Sequence, residues 1–289
     1  MADDKSFIAK IEEFILKKTK PKYKDSQDEI NGFLMEKSKT ADKTPSVPLF
    51  KSQKLSGMDV FCFGDEEKSK NTILYVHGGA FVNEINFQHL LYCRKLAKKL
   101  DAYVIAPVYP LAPNHSCEES FDKITNLYKY LIEKHDGISL IGDSAGGGFI
   151  LSFSQYIKIV NLPQSNRIIV FSPWVDISMS NTPYDSKNDP ILGDIGLREI
   201  GKRWAGELNT DDYRVSPLFG DTEGLPRTLI FAGGSEIFYK DIKLFYEKIV
   251  DSGVDASLIV GNGLFHIYPM FPSPEARDAF KKIKKEFDL

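Results

Sequence analysis

Three cysteines, Cys62, Cys93 and Cys117, are all that 289 residues carry. They stand too far apart for a disulfide framework and none has C-x-x-C or metal-ligand spacing, so three free thiols and no structural zinc are expected. No run of about 18 apolar residues occurs, which excludes a helix able to cross a bilayer. The opening stretch MADDKSFIAK begins on acids and lacks the apolar middle of a signal peptide. These two absences predict a soluble cytoplasmic protein without stable membrane insertion. Basic charge is not in excess either: 37 Lys and Arg stand against 40 Asp and Glu, a net charge of −3. With the lysines spread along the chain rather than gathered with aromatics, nucleic acid is not an expected partner.

What the chain does have is a regular alternation. Residues 4 to 19 place Phe7, Ile8, Ile11, Phe14 and Ile15 at helical spacing, and DSQDEINGFLMEK predicts a second helix that starts on capping polar residues. We read the apolar stripe of the first helix as a packing face, with a membrane surface as the alternative. A polar linker, KSKTADKTPSV, follows, and then LFKSQKL and MDVFCFG predict a strand pair. Beyond it TILYVHGG, YVIAPVY, ISLIGD, RIIVFSPW, TLIFAGG and ASLIVGN predict strands. Helices are predicted near 87–100 and 117–135, from Ser144, near 239–252 and from about Ser273. Apolar strands alternating with helices imply a mostly parallel sheet with helices on both faces. One irregular segment, beginning DISMSNTPYD, is too long for a tight crossover and suits a lid or cap.

The chemistry gathers at strand ends. IGDSAGG puts Gly142-x-Ser144-x-Gly146 between a predicted strand and a predicted helix, where a serine on a sharp turn stands exposed above the sheet. The plainer reading is a helix N-cap serine with packing glycines. A serine hydroxyl needs a base to be nucleophilic at neutral pH. Of five histidines, His89 and His135 fall in or at the end of helices and read as surface residues, and His115 lies in the loop LAPNHS. His266, on the loop after the last strand, is the one that follows both Ser144 and a plausible acid, so it is the candidate general base. The acid would sit on the loop after the preceding strand, where GGSEIFYKD offers Glu236 first and Asp241 as the alternative. The pair of glycines in HGGAF leaves backbone bare ahead of the serine motif. The N–H groups of Gly78 and Gly79, with that of Ala145, are the candidate oxyanion donors, and His77 is expected to pin their loop by hydrogen bonding.

Together HGGAF, YPLAP, GDSAGGG, SPWVDIS, VSPLF and GGSEIFYKD, with the histidine loop, resemble the hormone-sensitive-lipase-like branch of the α/β-hydrolase carboxylesterases, from about Asn71 to about Met270. The resemblance implies an α/β-hydrolase fold with a helical cap, ester hydrolysis through an acyl-enzyme, and a site without metal or other cofactor. With the helix and linker pattern above, this gives a 1–45 N-terminal helical cap region and a 46–289 catalytic domain, with 180–218 as a cap insertion. It departs from the family where Pro110 replaces a frequent Arg, where Asn114-His115 replaces Glu-His, and where Glu236 replaces the more usual Asp. Candidate substrate-binding residues are Phe81, Val82, Phe149, Trp204, Phe238 and Phe265, each of which could equally belong to the core. The expected partner is a small-molecule ester with a short acyl chain, and a homodimer is allowed. An amidase or formamidase on the same residues, or a non-catalytic small-molecule receptor on the same scaffold, are the competing readings.

Overall fold

A computed structural model describes residues 5–19, 26–40, 43–181 and 189–288. Eight strands form one sheet: β1 (Gln53–Leu55), β2 (Met58–Phe63), β3 (Asn71–Val76), β4 (Ala102–Pro107), β5 (Ser139–Asp143), β6 (Arg167–Phe171), β7 (Thr228–Gly233) and β8 (Ala256–Gly261). Their order is β1-β2-β4-β3-β5-β6-β7-β8. The β1–β2 hairpin joins β4 antiparallel, and every other pairing from β4 to β8 is parallel.

Helices cover both faces: α1 (Phe7–Thr19), α2 (Gln27–Ser38), α3 (Phe87–Leu100), α4 (Cys117–Lys134), α5 (Ser144–Ile159), α6 (Asp194–Ala205), α7 (Tyr239–Asp251) and α8 (Pro274–Phe287). The strands read as nearly unbroken apolar runs because both faces are buried. Their side chains alternate between two cores. Leu74, Val76, Ile105, Leu140, Ile168, Val170 and Ile230 join one core with residues of α4, α5, α6 and α7. Ile73, Tyr75, Val104, Ile141, Ile169, Phe171 and Phe231 join the other with residues of α3 and α8. The central strands β3 and β5 are therefore clamped from both sides, which makes their carboxyl ends a rigid platform.

The two N-terminal helices go to different places. Ile30 and Leu34 of α2 enter the first core, and α2 packs on α6, which falls in the 180–218 segment expected to form a cap insertion. Residues 182–188 of that insertion lie outside the described residues. Helix α1 instead packs on α8, with Ala9 buried in the second core and the Ser6 N–H and hydroxyl donating to Glu275 at 2.6 and 2.9 Å. Its stripe of Phe7, Ile8, Ile11, Phe14 and Ile15 is exposed, not packed as the spacing predicted. The opposite face, through Ala9 and Leu16, is the one that docks. The cysteines are free thiols, and no helix among the described residues is long and apolar enough to cross a membrane.

Under α1 lies a weak point. The Glu12 carboxylate is buried without a hydrogen-bond partner among the described residues, and burial together with the neighbouring Glu275 charge pushes its pKa from 4.5 up to about 7. A carboxyl raised in the folded state costs no stability below its unfolded value; stability falls as pH rises from that value to the folded one and levels off above it. Proteolysis at α1 should therefore quicken as pH climbs from about 5 to about 7 and level off above, and Glu12→Gln should flatten that rise. A wild-type cleavage rate that is level across this window would contradict the assignment.

Candidate active site

Ser144 opens α5 directly after β5, and its backbone sits in the left-handed region at φ 53°. A non-glycine residue there costs about 1–3 kcal/mol, held by the packing around it. The surrounding glycines are what allow the turn. A Cβ on Gly146 would come within 2.2 Å of the Val76 carbonyl oxygen, and one on Gly142 within 2.7 Å of the Gly146 carbonyl oxygen. No side chain fits either position without moving backbone.

Three loops, far apart in the chain, meet at this serine. The Ser144 hydroxyl lies 2.8 Å from Nε2 of His266, on the loop after β8, and Nδ1 of that ring lies 2.5 Å from Oε2 of Glu236, on the loop after β7. All three residues are buried. The other Glu236 oxygen accepts from the Gly233 N–H at 2.9 Å. The Ser172 hydroxyl accepts from the Ile267 N–H at 2.8 Å and hydrogen-bonds Glu236, so one side chain steadies both acid and base loops. Burial raises the Glu236 pKa, against the opposing pull of His266 and Ser172. Asp241, the alternative acid, lies in the first turn of α7 and accepts from the Asn181 side chain at 3.1 Å.

The glycine loop corrects one assignment. The Gly78 N–H donates to Oδ1 of Asp143 at 3.0 Å, so it is committed and cannot serve an oxyanion. Gly78 is a glycine for another reason: a Cβ there would press to 2.3 Å from Asp143 Oδ2 and 2.9 Å from the Ser144 Cβ. The residues of this loop that line the cavity beside Ser144 are Gly79, at φ 124°, and Ala80, at φ 54°. Ala145 follows Ser144 in the first turn of α5, where helix N–H groups lack intrahelical acceptors.

Asp143 is the hub behind the loop. It accepts from the Tyr75 hydroxyl at 2.5 Å, and its second oxygen lies 3.5 Å from Nε2 of His89. Burial alone would raise its pKa, but His89, Tyr75 and the Gly78 N–H outweigh it and hold the carboxyl below its usual range. His89 is thus not a surface residue: it is 7% exposed, lines the cavity, and its Nδ1 accepts from the Asn86 N–H in a capping box at the start of α3. That bond places the ring proton on Nε2, facing Asp143. An Asn three residues before a His at a helix start was the available signal. His77 bonds the Gly78 carbonyl through Nδ1 at 2.7 Å, and burial beside His89 pushes its pKa down to about 3, so it is neutral at neutral pH.

A cavity of about 790 Å³ opens over Ser144 and His266. Its walls come from α2 (Phe33), the cap insertion (Ile191, Leu192, Leu197, Ile200) and the segment Met270–Pro272, with polar Asn83, Gln88 and Lys95 on the α3 side. None of Phe81, Val82, Phe149, Trp204, Phe238 or Phe265 lines it; each is 2% exposed or less. Three of them, Phe81, Trp204 and Phe238, build the wall behind the site instead, together with Trp174. Trp204 stacks on Phe81 at 4.1 Å, Phe81 on Trp174 at 5.8 Å, Trp174 on Phe238 at 5.7 Å, and Phe238 meets the His266 ring edge-on at 5.4 Å. Large rings at strand ends gain more from stacking in a dry core than from facing a cavity.

The class of protein follows from a serine–histidine–glutamate relay at the carboxyl ends of a parallel sheet. The profile of the α/β-hydrolase fold matches residues 73–270, and the chain belongs to that family. An esterase of Acinetobacter venetianus is 32% identical over 76% of this chain and 77% of its own. Esterase LipU of Mycobacterium tuberculosis is 28% identical over 89% of each. Among solved structures, a protein from Staphylococcus aureus provisionally assigned as an esterase superposes with a TM-score of 0.88 at 26% identity, covering 95% of this chain and 99% of that one. A hormone-sensitive lipase from a metagenome library shares the fold, with a TM-score of 0.83 at 23% identity over 99% and 98% of the two chains. These matches bear out the resemblance to the hormone-sensitive-lipase-like carboxylesterases that the motifs carry.

Removing the hub should loosen the glycine loop without touching the relay. Asp143→Ala should lower kcat by about 10²-fold, the cost of a displacement near 1 Å at a reacting centre, while KM moves little. His89→Ala should lower it less. Unchanged kcat in Asp143→Ala would show that the loop holds its shape unaided.

Proposed function

We propose that the chain hydrolyses short-chain carboxylic esters through an acyl-enzyme on Ser144. The contact sequence from Glu236 through His266 to Ser144, at the floor of a cavity with apolar walls, is the observation that supports this reading most.

In the first half, the Ser144 oxygen attacks the ester carbonyl carbon as its proton passes to His266 Nε2. Glu236 holds the imidazole by Nδ1 and stabilises its positive charge. The carbonyl electron pair moves onto oxygen, which rests on the N–H groups of Gly79, Ala80 and Ala145. The tetrahedral species collapses, the C–O bond to the alcohol breaks, and His266 returns the proton to the leaving oxygen. In the second half water repeats these steps on the acyl-enzyme, releasing the acid and restoring Ser144. Asp143 takes no proton; it positions the loop that carries two of the donors.

The cavity volume lies in the range that encloses a drug-sized molecule, which favours a compact ester over a three-chain glyceride. The intact relay speaks for a catalyst rather than a receptor.

Turnover of p-nitrophenyl acetate and butyrate is the test. Ser144→Ala should lower kcat by about 10⁴-fold or more, and Glu236→Gln by about 10³-fold. Turnover that survives Ser144→Ala would remove the serine from the chemistry. Butyrate and acetate esters should also be cleaved faster than emulsified long-chain esters, and the reverse order would reject the short-chain assignment.

A further inference from the structure

We propose that α1 is a docking helix for an anionic lipid surface, with Phe7, Ile8, Ile11 and Phe14 as the face that meets the lipid. These side chains are 77%, 41%, 43% and 58% exposed. Their positions, i, i+1, i+4 and i+7, fall on one side of a helix. Large exposed apolar patches are uncommon on soluble folds, and singly scattered residues would not share a face. The helix is not loose: its other side packs on α8, and Ser6 ties its start to Glu275. The apolar face is thus presented outward by a fixed contact.

Charge says what covers it. Residues 1–25 hold seven lysines against Asp3, Asp4, Glu12, Glu13 and Asp25, and Glu13 pairs with Lys5 and Lys17. This is a local excess in a chain of net charge −3. The Lys18 ammonium lies 4.3 Å over the Phe14 ring, so its charge sits at the edge of the apolar face. An apolar stripe bordered by lysines fits the headgroup boundary of an anionic bilayer. A second copy of the chain fits less well. From Phe7 to Phe14 the strip runs about 11 Å along the helix and is about 10 Å wide, well short of the roughly 800 Å² that each partner of a stable dimer buries. A twofold contact there would also bring the two lysine sets together.

Docking would matter for the site. Glu275, the anchor of α1, lies three residues beyond Pro272, the end of the segment that lines the catalytic cavity. A protein held by α1 keeps that wall close to a surface where amphiphilic esters gather.

Co-sedimentation of the full chain with vesicles tests this. Mixed phosphatidylglycerol–phosphatidylcholine vesicles should take up at least about tenfold more protein than pure phosphatidylcholine ones at low salt, and about 0.5 M NaCl should erase most of the difference. The double variant Phe7→Ser, Phe14→Ser should lose about tenfold in uptake with an unchanged near-ultraviolet circular dichroism spectrum, since both side chains are exposed. No preference for phosphatidylglycerol, or equal uptake of the double variant, would overturn the proposal. So would a concentration-dependent dimer in sedimentation velocity that the double variant abolishes, which would make the occupant a second copy.

Discussion

The close approach of bare backbone around Ser144 is the constraint on which the rest of the site depends. Gly142 and Gly146 let α5 start within contact of β3, and the serine takes a left-handed conformation that puts its hydroxyl above the sheet. Gly78 continues the same cradle, with its N–H fixed on Asp143. If any of these positions carried a side chain, backbone would have to shift, and nothing beyond the turn would then be in register. The strain is tolerated because β3 and β5 are paired on both edges and packed on both faces.

From that platform the relay is assembled by topology. Parallel strands all end on one side, so the loops after β5, β7 and β8 converge although Ser144 and His266 are 122 residues apart. Glutamate at 236 reaches the imidazole with its longer side chain and turns its second oxygen back to its own loop at Gly233. Behind these loops the stacked rings from Trp204 to Phe238 give His266 a dry wall. A buried carboxylate beside a buried imidazole interacts more strongly there than it would in water. The aromatic residues therefore keep water from the His266 ring and fix it without lining the cavity.

The two N-terminal helices have different places in the fold. Helix α2, wedged against α6, contributes Phe33 to the cavity. Helix α1 leaves the cavity altogether for α8, and spends its apolar residues on the outside. A helix that only needed to cover the sheet would turn that stripe inward, as the hydrophobic effect demands. Its outward turn is the feature that the proposed lipid docking accounts for.

By itself the sequence determined the sheet, the helices and the chain order of serine, glutamate and histidine, because these depend on local periodicity and on glycine patterns that no other backbone allows. It also brought the HGGA loop next to the serine motif. Which N–H groups of that loop are free was decided by tertiary structure: Gly78 and Gly79 look alike in sequence, and only the position of Asp143 separates them. The same holds for His89, whose helical position gave no hint that a carboxylate from β5 would face it across the core. Phe81 and its neighbours have the composition of a pocket and of a core alike, and their stacking partners come from four separate segments. The stripe of α1 shows the limit most plainly. Period 3.6 reveals that a helix has an apolar face, but which way the face points is settled by the competing face that fits its neighbour.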